Sequence, residues 1–426
     1  MTHFGILSLA ATGHLNTMFP LGRELQRRGH SVTILSNLDA QISVQTAGFN
    51  FSEIYSPIDE VKVNQKQSPL TISEKLGRLK NIRQTLQKFA RIAETRLQKA
   101  PTIIRQQGID ALLIDSSVFE GGTIADYLDL PYVTVFCMLP FYQDPDIPPI
   151  TTTLQYDPAW WAQLRNRMAY SLLNYLSKPV WQVISDYRQI WNLPAYSHTN
   201  DIFSQLAMIT RHIPEFEFPR QLPPYFHFTG PFHTSIERQP VAFPFEKLNN
   251  KPLIYASMGT LQNRFDYVFR TIAKACADID IQLVISLGGG LNPEALPNLP
   301  GNPLVVKYAP QLKMLQKASL SITHAGLNTT LESLSYGVPM VAIPVTDDQP
   351  GVAARIARTG VGEFVTLSRL SVGSMQKVIK KVLREESYQQ NAVRLQEAIR
   401  QTEGVHRAVN IIEQAVLTRK PVIEPI

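Results

Sequence analysis

Cysteine is scarce in this sequence. The 426 residues include two cysteines, Cys137 and Cys276, and both lie in apolar stretches far apart along the chain. Two isolated thiols cannot build the disulfide framework of a small secreted domain, and their separation does not match the close ligand spacing of a zinc site. We therefore expect a reduced, cytoplasmic protein.

Long apolar runs are also missing. No uninterrupted run approaches the ~18 residues that a membrane-spanning helix requires, so any membrane contact should be peripheral. The apolar amino terminus, residues 3–11, lacks the basic region that opens a signal peptide, and it continues directly into a helical pattern. We interpret this stretch as the first strand of the fold.

Charge of one sign is not concentrated anywhere. The formal net charge is +6, but no basic run is interleaved with aromatic residues, which argues against a nucleic-acid partner. The isoelectric point near 9.1 suits an anionic ligand or an anionic membrane surface. At 426 residues the chain is longer than one hydrophobic core usually supports, so we expect two domains.

The first loop lacks the glycine pattern of a dinucleotide site. A buried strand from Phe4 is followed by residues 11–14, a helix and a second strand, which is a βαβ beginning, but G-x-G-x-x-G is absent. The loop contains Gly13 and His14 instead, and an imidazole at the carboxyl end of a strand can face a cleft. A helix cap or a surface residue is the alternative interpretation of His14.

A second polar loop lies within residues 319–349, a stretch whose pattern indicates strand, loop, helix and strand. The strand stops at His324, and the helix, predicted to begin near Leu327, carries Asn328 and Thr329 in its first turn. Unpaired backbone N–H groups, small polar side chains and the positive end of a helix dipole together suit a diphosphate.

Three further side chains extend this predicted site. Glu332 lies one helical turn beyond Asn328 and can accept hydrogen bonds from both hydroxyls of a ribose. Asp348 and Gln349 end the next strand at the same edge of the sheet and can bind a polyhydroxylated group. Phosphate, ribose and sugar contacts in one register indicate a nucleotide sugar, whereas an ordinary βαβ unit with polar caps and turns is the alternative.

This stretch resembles the donor-binding signature of family 1 glycosyltransferases, the UDP-glycosyltransferases, including the bacterial branch that acts on macrolides and carotenoids. The resemblance implies an α/β fold in which two Rossmann-like domains face each other across a cleft, the glycosyltransferase B fold. We expect an acceptor-binding domain over residues 1–235 and a nucleotide-sugar-binding domain over residues 250–400. A proline-rich linker joins them, and a last helix, over roughly residues 405–426, should pack back onto the first domain.

The resemblance also assigns roles in the first domain. His14 matches the catalytic base, and Asp115, which ends an apolar strand and could otherwise cap the next helix, matches its carboxylate partner. The family often has a proline soon after the histidine, whereas the first proline here is Pro20. This departure affects the predicted mouth of the acceptor site.

On the donor side, Tyr308 takes the place of an aromatic residue, frequently tryptophan, that stacks on uracil, and it offers a smaller π face. Small residues after the strand at 253–256 permit a close backbone approach to a phosphate or a sugar. The predicted donor-binding residues are Gly13, Ser257, Gly259, Thr260, Tyr308, Ala309, Gln311, His324, Gly326, Asn328, Thr329, Glu332, Asp348 and Gln349.

Residues 145–194 form an aromatic, proline-rich segment with helical periodicity that we expect to kink at Pro179. Three interpretations stay open: a helical pair packed on the first domain, the wall of an apolar acceptor pocket, or a membrane-facing patch. The predicted acceptor-binding residues are Phe119, Phe141, Tyr170, Leu173 and Trp181.

The predicted reaction is inverting transfer of a hexose, expected to be glucose, from a UDP-sugar to a hydroxyl of a small hydrophobic aglycone, without a cofactor or a metal. Two D-x-D matches, at residues 144–146 and 278–280, could hold a metal in a competing architecture, but neither ends an apolar strand. The alternatives are a transferase using dTDP-sugar or UDP-N-acetylglucosamine, an epimerase of the same architecture, and a non-catalytic protein that binds nucleotide sugars or lipids. The sequence leaves the acceptor and the oligomeric state open.

Overall fold

The first half of the chain builds a seven-stranded parallel sheet. The structure is a computed structural model that describes residues 1–55, 72–232, 241–260 and 265–423. The strands are β1 (His3–Leu7), β2 (Ser31–Asn37), β3 (Asn50–Tyr55), β4 (Ala111–Asp115), β5 (Tyr132–Phe136), β6 (Met208–Thr210) and β7 (Phe226–Phe228). The helices are α1 (Thr12–Arg27), α2 (Gln41–Thr46), α3 (Ile72–Gln106), α4 (Gly121–Leu128) and α5 (Trp160–Ile190). The strand order is β3-β2-β1-β4-β5-β6-β7.

The second half builds a six-stranded parallel sheet. Its strands are β8 (Leu253–Ser257), β9 (Gln282–Ser286), β10 (Leu304–Val306), β11 (Ala318–Thr323), β12 (Met340–Ala342) and β13 (Gly362–Phe364). The helices are α6 (Asp266–Cys276), α7 (Gln311–Leu315), α8 (Leu327–Ser335), α9 (Gln349–Arg358), α10 (Val372–Arg384), α11 (Glu386–Arg400) and α12 (Val405–Thr418). The strand order is β10-β9-β8-β11-β12-β13.

Both sheets have a point where the strand order reverses, between β1 and β4 in the first sheet and between β8 and β11 in the second. Helices cover both faces of such a sheet, so its central strands are apolar on both sides, as Leu112, Leu113 and Ile114 are in β4. The loops that leave the carboxyl ends of the strands on either side of a reversal open a crevice. The fold therefore provides one crevice in each half.

The last helix returns to the first sheet. Ala408, Val409 and Ile412 of α12 are buried in the same apolar cluster as residues of β1 and β2. At its exposed side, Glu413 accepts a hydrogen bond from Nη1 of Arg28 at 2.6 Å and lies 3.0 Å from Nε2 of His30. The carboxyl-terminal helix is thus part of the core of the first half of the chain.

The two halves meet through apolar and polar contacts. Leu139 and Ile150 from the first half share a buried cluster with Leu327 and Val352 from the second. The N–H of Gly351 donates to the carbonyl of Ile150 at 2.8 Å, and a Cβ at position 351 would lie 2.5 Å from that oxygen. The close approach therefore requires glycine and holds the start of α9 against the first half.

The expected kink at Pro179 does not end the helix, because α5 continues from Trp160 to Ile190. On the turn after the proline, Val180 and Ile184 are buried against Ala90 of α3, so packing compensates for the missing backbone donor. Residues 56–71, which precede α3, lie outside the described part of the chain. No helix among the described residues combines the length and apolar character needed to cross a membrane.

Candidate active site

His14 and Asp115 meet in the crevice of the first sheet. Strands β1 and β4 are neighbours, and His14 lies in the first turn of α1, which follows β1, while Asp115 ends β4. The loop predicted over residues 11–14 is thus helical from Thr12 onward. Nδ1 of His14 lies 2.6 Å from Oδ2 of Asp115. The buried carboxylate also accepts hydrogen bonds from Oγ of Ser8 at 3.2 Å and from the N–H of Ser117 at 3.0 Å. These contacts orient the carboxylate toward one ring nitrogen of the histidine.

The environment of this pair sets its protonation. Burial disfavours the charged imidazolium, but the Asp115 carboxylate outweighs burial and raises the pKa of His14 above 6.5. Burial likewise opposes ionisation of Asp115, but the contact with His14 and the N–H of Ser117 hold the pKa of its carboxyl below its usual range. The side chain of His14 is 17% exposed, so the ring is reachable from the crevice. With Nδ1 bonded to Asp115, Nε2 is the nitrogen that can accept a proton.

His324 occupies the corresponding crevice in the second sheet. A Cβ at Gly259 or at Gly326 would lie within 2.6 Å of its ring, so the two glycines leave the space that the ring fills. Its Nδ1 is buried and has no hydrogen-bond partner among the described residues, and burial lowers the pKa of the ring to about 4. Such an unpartnered nitrogen is suited to a polar group of a ligand. Ala325 has a φ of +64°, a left-handed conformation found at strained ligand sites.

Helix α8 begins at Leu327, as predicted, and places Asn328 and Thr329 in its first turn. The side chain of Asn328 reaches the first half of the chain, where its Nδ2 donates to the carbonyl of Gly13 at 3.2 Å. A Cβ on Gly13 would lie 3.3 Å from that nitrogen. The predicted phosphate-binding turn therefore lies directly opposite the first turn of α1, which carries His14.

Arg211 is a site residue that the sequence analysis missed. It follows β6 and is buried, with one guanidinium nitrogen donating to Oδ1 of Asn328 and another to the carbonyl of Cys137 at 3.0 Å. Its Nε has no partner among the described residues, and burial lowers the pKa of the guanidinium. The charge influences the titration of His14 and is itself influenced by Asp348 and Glu332. A fixed cation thus lies between the two crevices.

Glu332 lies on α8 one turn beyond Asn328 and is buried. Its Oε2 accepts a hydrogen bond from Nε2 of Gln311 at 2.6 Å, and Oε1 of Gln311 in turn accepts from the hydroxyl of Tyr255 at 3.2 Å. Thr329 is also within 3.4 Å of the Gln311 amide. Two predicted donor residues, Gln311 and Glu332, therefore orient each other at the start of α7 and within α8.

The remaining donor candidates are placed around this centre. Tyr308 is 47% exposed and stands beside Gly289, while Ala309 packs against the buried cluster that contains Tyr255. Ser257 ends β8 and its Oγ accepts from the N–H of Gly259 at 3.3 Å, while Thr260, the next residue, is exposed. The open ring face of Tyr308 is compatible with stacking.

Asp348 and Gln349 are engaged by the protein itself. Oδ2 of Asp348 accepts from the N–H of Leu139 at 2.8 Å, across the boundary between the two halves, and burial raises the pKa of this carboxyl to about 6. Oε1 of Gln349 accepts from the N–H of Val345 and of Thr346, at 2.9 Å and 3.2 Å. These bonds orient both side chains at the start of α9, where Asp348 is the N-cap and Gln349 the first helical residue. The prediction that the two residues end the preceding strand is wrong, because β12 ends at Ala342 and a loop follows it.

The predicted acceptor residues separate into two groups. Phe119, Phe141 and Trp181 pack in one aromatic cluster around Phe136, at the same edge of the sheet as Asp115. Tyr170 lies beside Asp144 instead, and burial raises the pKa of its hydroxyl to about 12. The helical spacing of α5 explains the difference, since Tyr170 and Trp181 are eleven residues, about three turns, apart. Leu173 is half-buried between them along the helix.

A third polar atom lies close to the histidine and aspartate. The side-chain donor atoms of His14, Asp115 and Cys137 are within 4.8 Å of one another, a separation that a metal ion could bridge. However, burial raises the pKa of the Cys137 thiol well above its usual range. A metal would have to deprotonate this thiol and replace the bond between His14 and Asp115. The trio is therefore better suited to proton transfer than to metal binding.

A separate cavity of about 480 Å³ opens at the opposite, amino-terminal edge of the first sheet. Pro131 and Leu206, which precede β5 and β6, line it together with Arg188 and Tyr196. Because His14 and Asp115 lie at the carboxyl ends of the strands, this cavity belongs to a different surface of the domain.

The family of the chain follows from its similarity to known proteins. The chain belongs to the family described as UDP-glucoronosyl and UDP-glucosyl transferase, which it matches over residues 6–418. Zeaxanthin glucosyltransferase of Pantoea ananas is 30% identical over 99% of this chain and 98% of its own length. Zeaxanthin glucosyltransferase of Pseudescherichia vulneris is 29% identical over 98% of both chains. The crystal structure of the glycotransferase of kitacinnamycin has a TM-score of 0.76 at 19% identity and covers 97% of this chain and 99% of its own.

The class of the protein follows from these findings. It is a glycosyltransferase that uses a nucleotide sugar, and the predicted membership of family 1 is confirmed. The predicted glycosyltransferase B fold, with two parallel-sheet α/β domains, is also confirmed.

Proposed function

We propose that this enzyme transfers glucose from UDP-glucose to a hydroxyl of a small hydrophobic acceptor, with inversion at the anomeric carbon. The observation that carries the proposal is the 2.6 Å contact between His14 and the buried Asp115, opposite the helix terminus that carries Asn328. Two relatives are named zeaxanthin glucosyltransferase, which supports glucose as the sugar and a hydroxylated carotenoid as a candidate acceptor.

His14 acts as the general base. The acceptor hydroxyl gives its proton to Nε2, its oxygen forms a bond to the anomeric carbon, and the bond between that carbon and the diphosphate oxygen breaks. UDP leaves with the electron pair of that bond, so a single displacement inverts the configuration. The Asp115 carboxylate keeps Nδ1 protonated and stabilises the imidazolium as it forms.

The leaving diphosphate is stabilised from the second domain. The N–H groups at the start of α8, with the side chains of Asn328, Thr329 and His324, offer donors to its oxygens. Arg211 adds a positive charge that is already fixed by Asn328 before substrate binds. This charge distribution replaces the metal that other transferases use to bind a diphosphate.

Glu332 and Tyr308 select the nucleoside. Glu332, oriented by Gln311, accepts hydrogen bonds from the ribose hydroxyls, and the open face of Tyr308 stacks on the uracil. Asp348 and Gln349 face the sugar from the start of α9. Of these two side chains, Gln349 still offers its amide N–H₂, because its oxygen is bonded to the loop.

The proposal is tested by mixing the purified enzyme with UDP-glucose or dTDP-glucose and zeaxanthin, with mass detection of products. We expect the glucoside to form from UDP-glucose. NMR should show the β-anomer, because the donor is α-configured and the reaction inverts, and turnover should be undiminished in excess EDTA. Retention of configuration, or loss of activity in EDTA with rescue by Mn²⁺, would overturn the mechanism. Product formed solely from dTDP-glucose would overturn the assignment of the donor.

A further inference from the structure

Helix α5 exposes an uninterrupted apolar stripe. Six large side chains in its first four turns are between 48% and 75% exposed. They are Trp160, Trp161, Leu164, Met168, Leu172 and Tyr175. This is far more than the single exposed apolar residues that soluble surfaces normally carry.

The spacing of these residues places them on one face. Residues 161, 164, 168, 172 and 175 follow each other at intervals of three or four, so they form one strip about 20 Å long. The other side of α5 is packed on the domain through Ala162, Asn166, Val180 and Ile184. The stripe is thus not the face that the fold uses to hold the helix.

Basic residues border the stripe on both sides. At 100° per residue, Arg165 falls on one flank and Arg167 and Lys178 on the other. No acidic residue occurs from Trp160 through Ser185, and the nearest are Asp157 and Asp186, beyond the two ends of the stripe. An apolar strip with aromatic rings and purely basic flanks matches a helix that lies in a membrane interface.

We propose that this stripe docks the enzyme on an anionic bilayer surface, with Trp161, Met168 and Leu172 inserted among the lipids. The basic residues beside the stripe favour an anionic bilayer over a second copy of the chain as the partner. In a two-fold dimer the same face meets itself, so every pairing would bring the basic flanks of the two copies together. An anionic headgroup layer neutralises the same residues.

The docked orientation has a consequence for the substrate, which rests on the proposed transferase function. Trp181 lies on the side of α5 that faces the aromatic cluster with Phe119 and Phe141. A single helix, α5, therefore lies between the bilayer and the proposed acceptor-binding region. Its position suits an alcohol that dissolves in the membrane and enters the site laterally.

The experiment is co-sedimentation of the full-length protein with vesicles of phosphatidylcholine alone or with an equal part of phosphatidylglycerol. We expect binding to the anionic vesicles, a blue shift of tryptophan fluorescence, and weakening by salt. The triple variant W161S/M168S/L172S should bind anionic vesicles at least roughly tenfold more weakly, because it lacks three apolar side chains that would be buried in the bilayer. R167Q and K178Q should each weaken binding roughly fivefold on anionic vesicles alone.

The matched control changes three exposed apolar residues elsewhere, I42S/V393S/L417S, which should bind like the unaltered protein. Melting temperature measured without vesicles shows that each variant is folded. Equal vesicle binding by W161S/M168S/L172S and the unaltered protein would overturn the proposal, as would no binding to anionic vesicles at all. A concentration-dependent dimer that the triple variant abolishes would assign the stripe to a second copy. None of these readouts uses glucosyl transfer, so failure of docking and failure of the proposed reaction are separable.

Discussion

The two halves of the candidate site satisfy their polar groups in different ways. In the donor half, Glu332 is held by Gln311, and Asn328 is held by Gly13 and Arg211, so the polar side chains form a connected network before substrate binds. In the acceptor half, the polar pair His14 and Asp115 stands beside an aromatic cluster. The difference predicts that donor binding and proton transfer depend on opposite sides of the cleft, and substitutions should separate the two.

The largest effect is expected from the acceptor half. General-base assistance accelerates reactions by about 10²–10⁴-fold, so His14→Ala should lower kcat by that order. The affinity for UDP-glucose, measured by calorimetry, should hardly change because the donor network is untouched. The control is H30A, whose ring bonds Glu413 on the far side of the domain. A near-normal kcat in His14→Ala would show that the proton leaves by another route.

A donor-half substitution should do the reverse. Glu332→Ala should weaken UDP-glucose binding by roughly 1.5–3 kcal/mol, the contribution of hydrogen bonds to a charged group. It should also narrow the preference for UDP over dTDP, since the ribose 2′-hydroxyl is absent from dTDP. Competition binding of the two diphosphates measures both quantities. Unchanged discrimination would remove Glu332 from the ribose site.

Arg211 connects the two halves and tests whether they are separable. Arg211→Gln keeps a donor near Asn328 but removes the charge, so UDP affinity should fall by roughly tenfold to a hundredfold. Arg211→Lys should recover part of that loss, whereas Arg27→Gln, on the exposed side of α1, should have no effect. If both Arg211 variants bind UDP normally and differ only in melting temperature, the residue is structural.

The smallest effect should come from the acceptor wall. Trp181→Ala should raise the KM for a water-soluble aromatic acceptor by a few-fold, because an aromatic contact contributes about 0.5–1.5 kcal/mol, and leave UDP affinity unchanged. Trp161→Ala provides the control, since the same residue type lies on the exposed face of the same helix. If Trp181→Ala lowers the melting temperature but leaves KM unchanged, the aromatic cluster has a packing role only.

The same contrast explains what could be predicted from the sequence. The donor turn is local, so one stretch of pattern predicted the start of α8 at Leu327 and the position of Glu332. The pairing of His14 with Asp115 was implied by the resemblance to family 1, and the pattern contributed only that each residue follows an apolar strand. Arg211 was not, because β6 has three residues, too few to show a period, and its partner Asn328 is 117 positions away. A short apolar run ending in an arginine was the signal available.

The acceptor half was harder for a related reason. Tyr170 and Trp181 belong to one helix, but its pattern does not reveal which apolar residues face the cleft and which face outward. That choice depends on contacts with α3 and with the loops after β4 and β5, which come from distant parts of the chain. The contact between Gly351 and Ile150 is equally invisible in the sequence, since it joins the two halves through backbone atoms.

The central claim is that His14 and Asp115 act as one proton-transfer unit, and a double-mutant cycle followed across pH tests it most directly. The base works when neutral, and Asp115 raises the pKa of His14 above 6.5, so kcat/KM of the unaltered enzyme should rise with pH and reach half its plateau above that value. Asp115→Ala should move this rise of kcat/KM to lower pH, and His14→Ala should abolish it. The double variant should be little slower than His14→Ala alone, because neither residue acts without the other. The account would be contradicted if kcat/KM still rose with pH in His14→Ala. It would also be contradicted if the fold losses of the two single variants multiplied in the double variant.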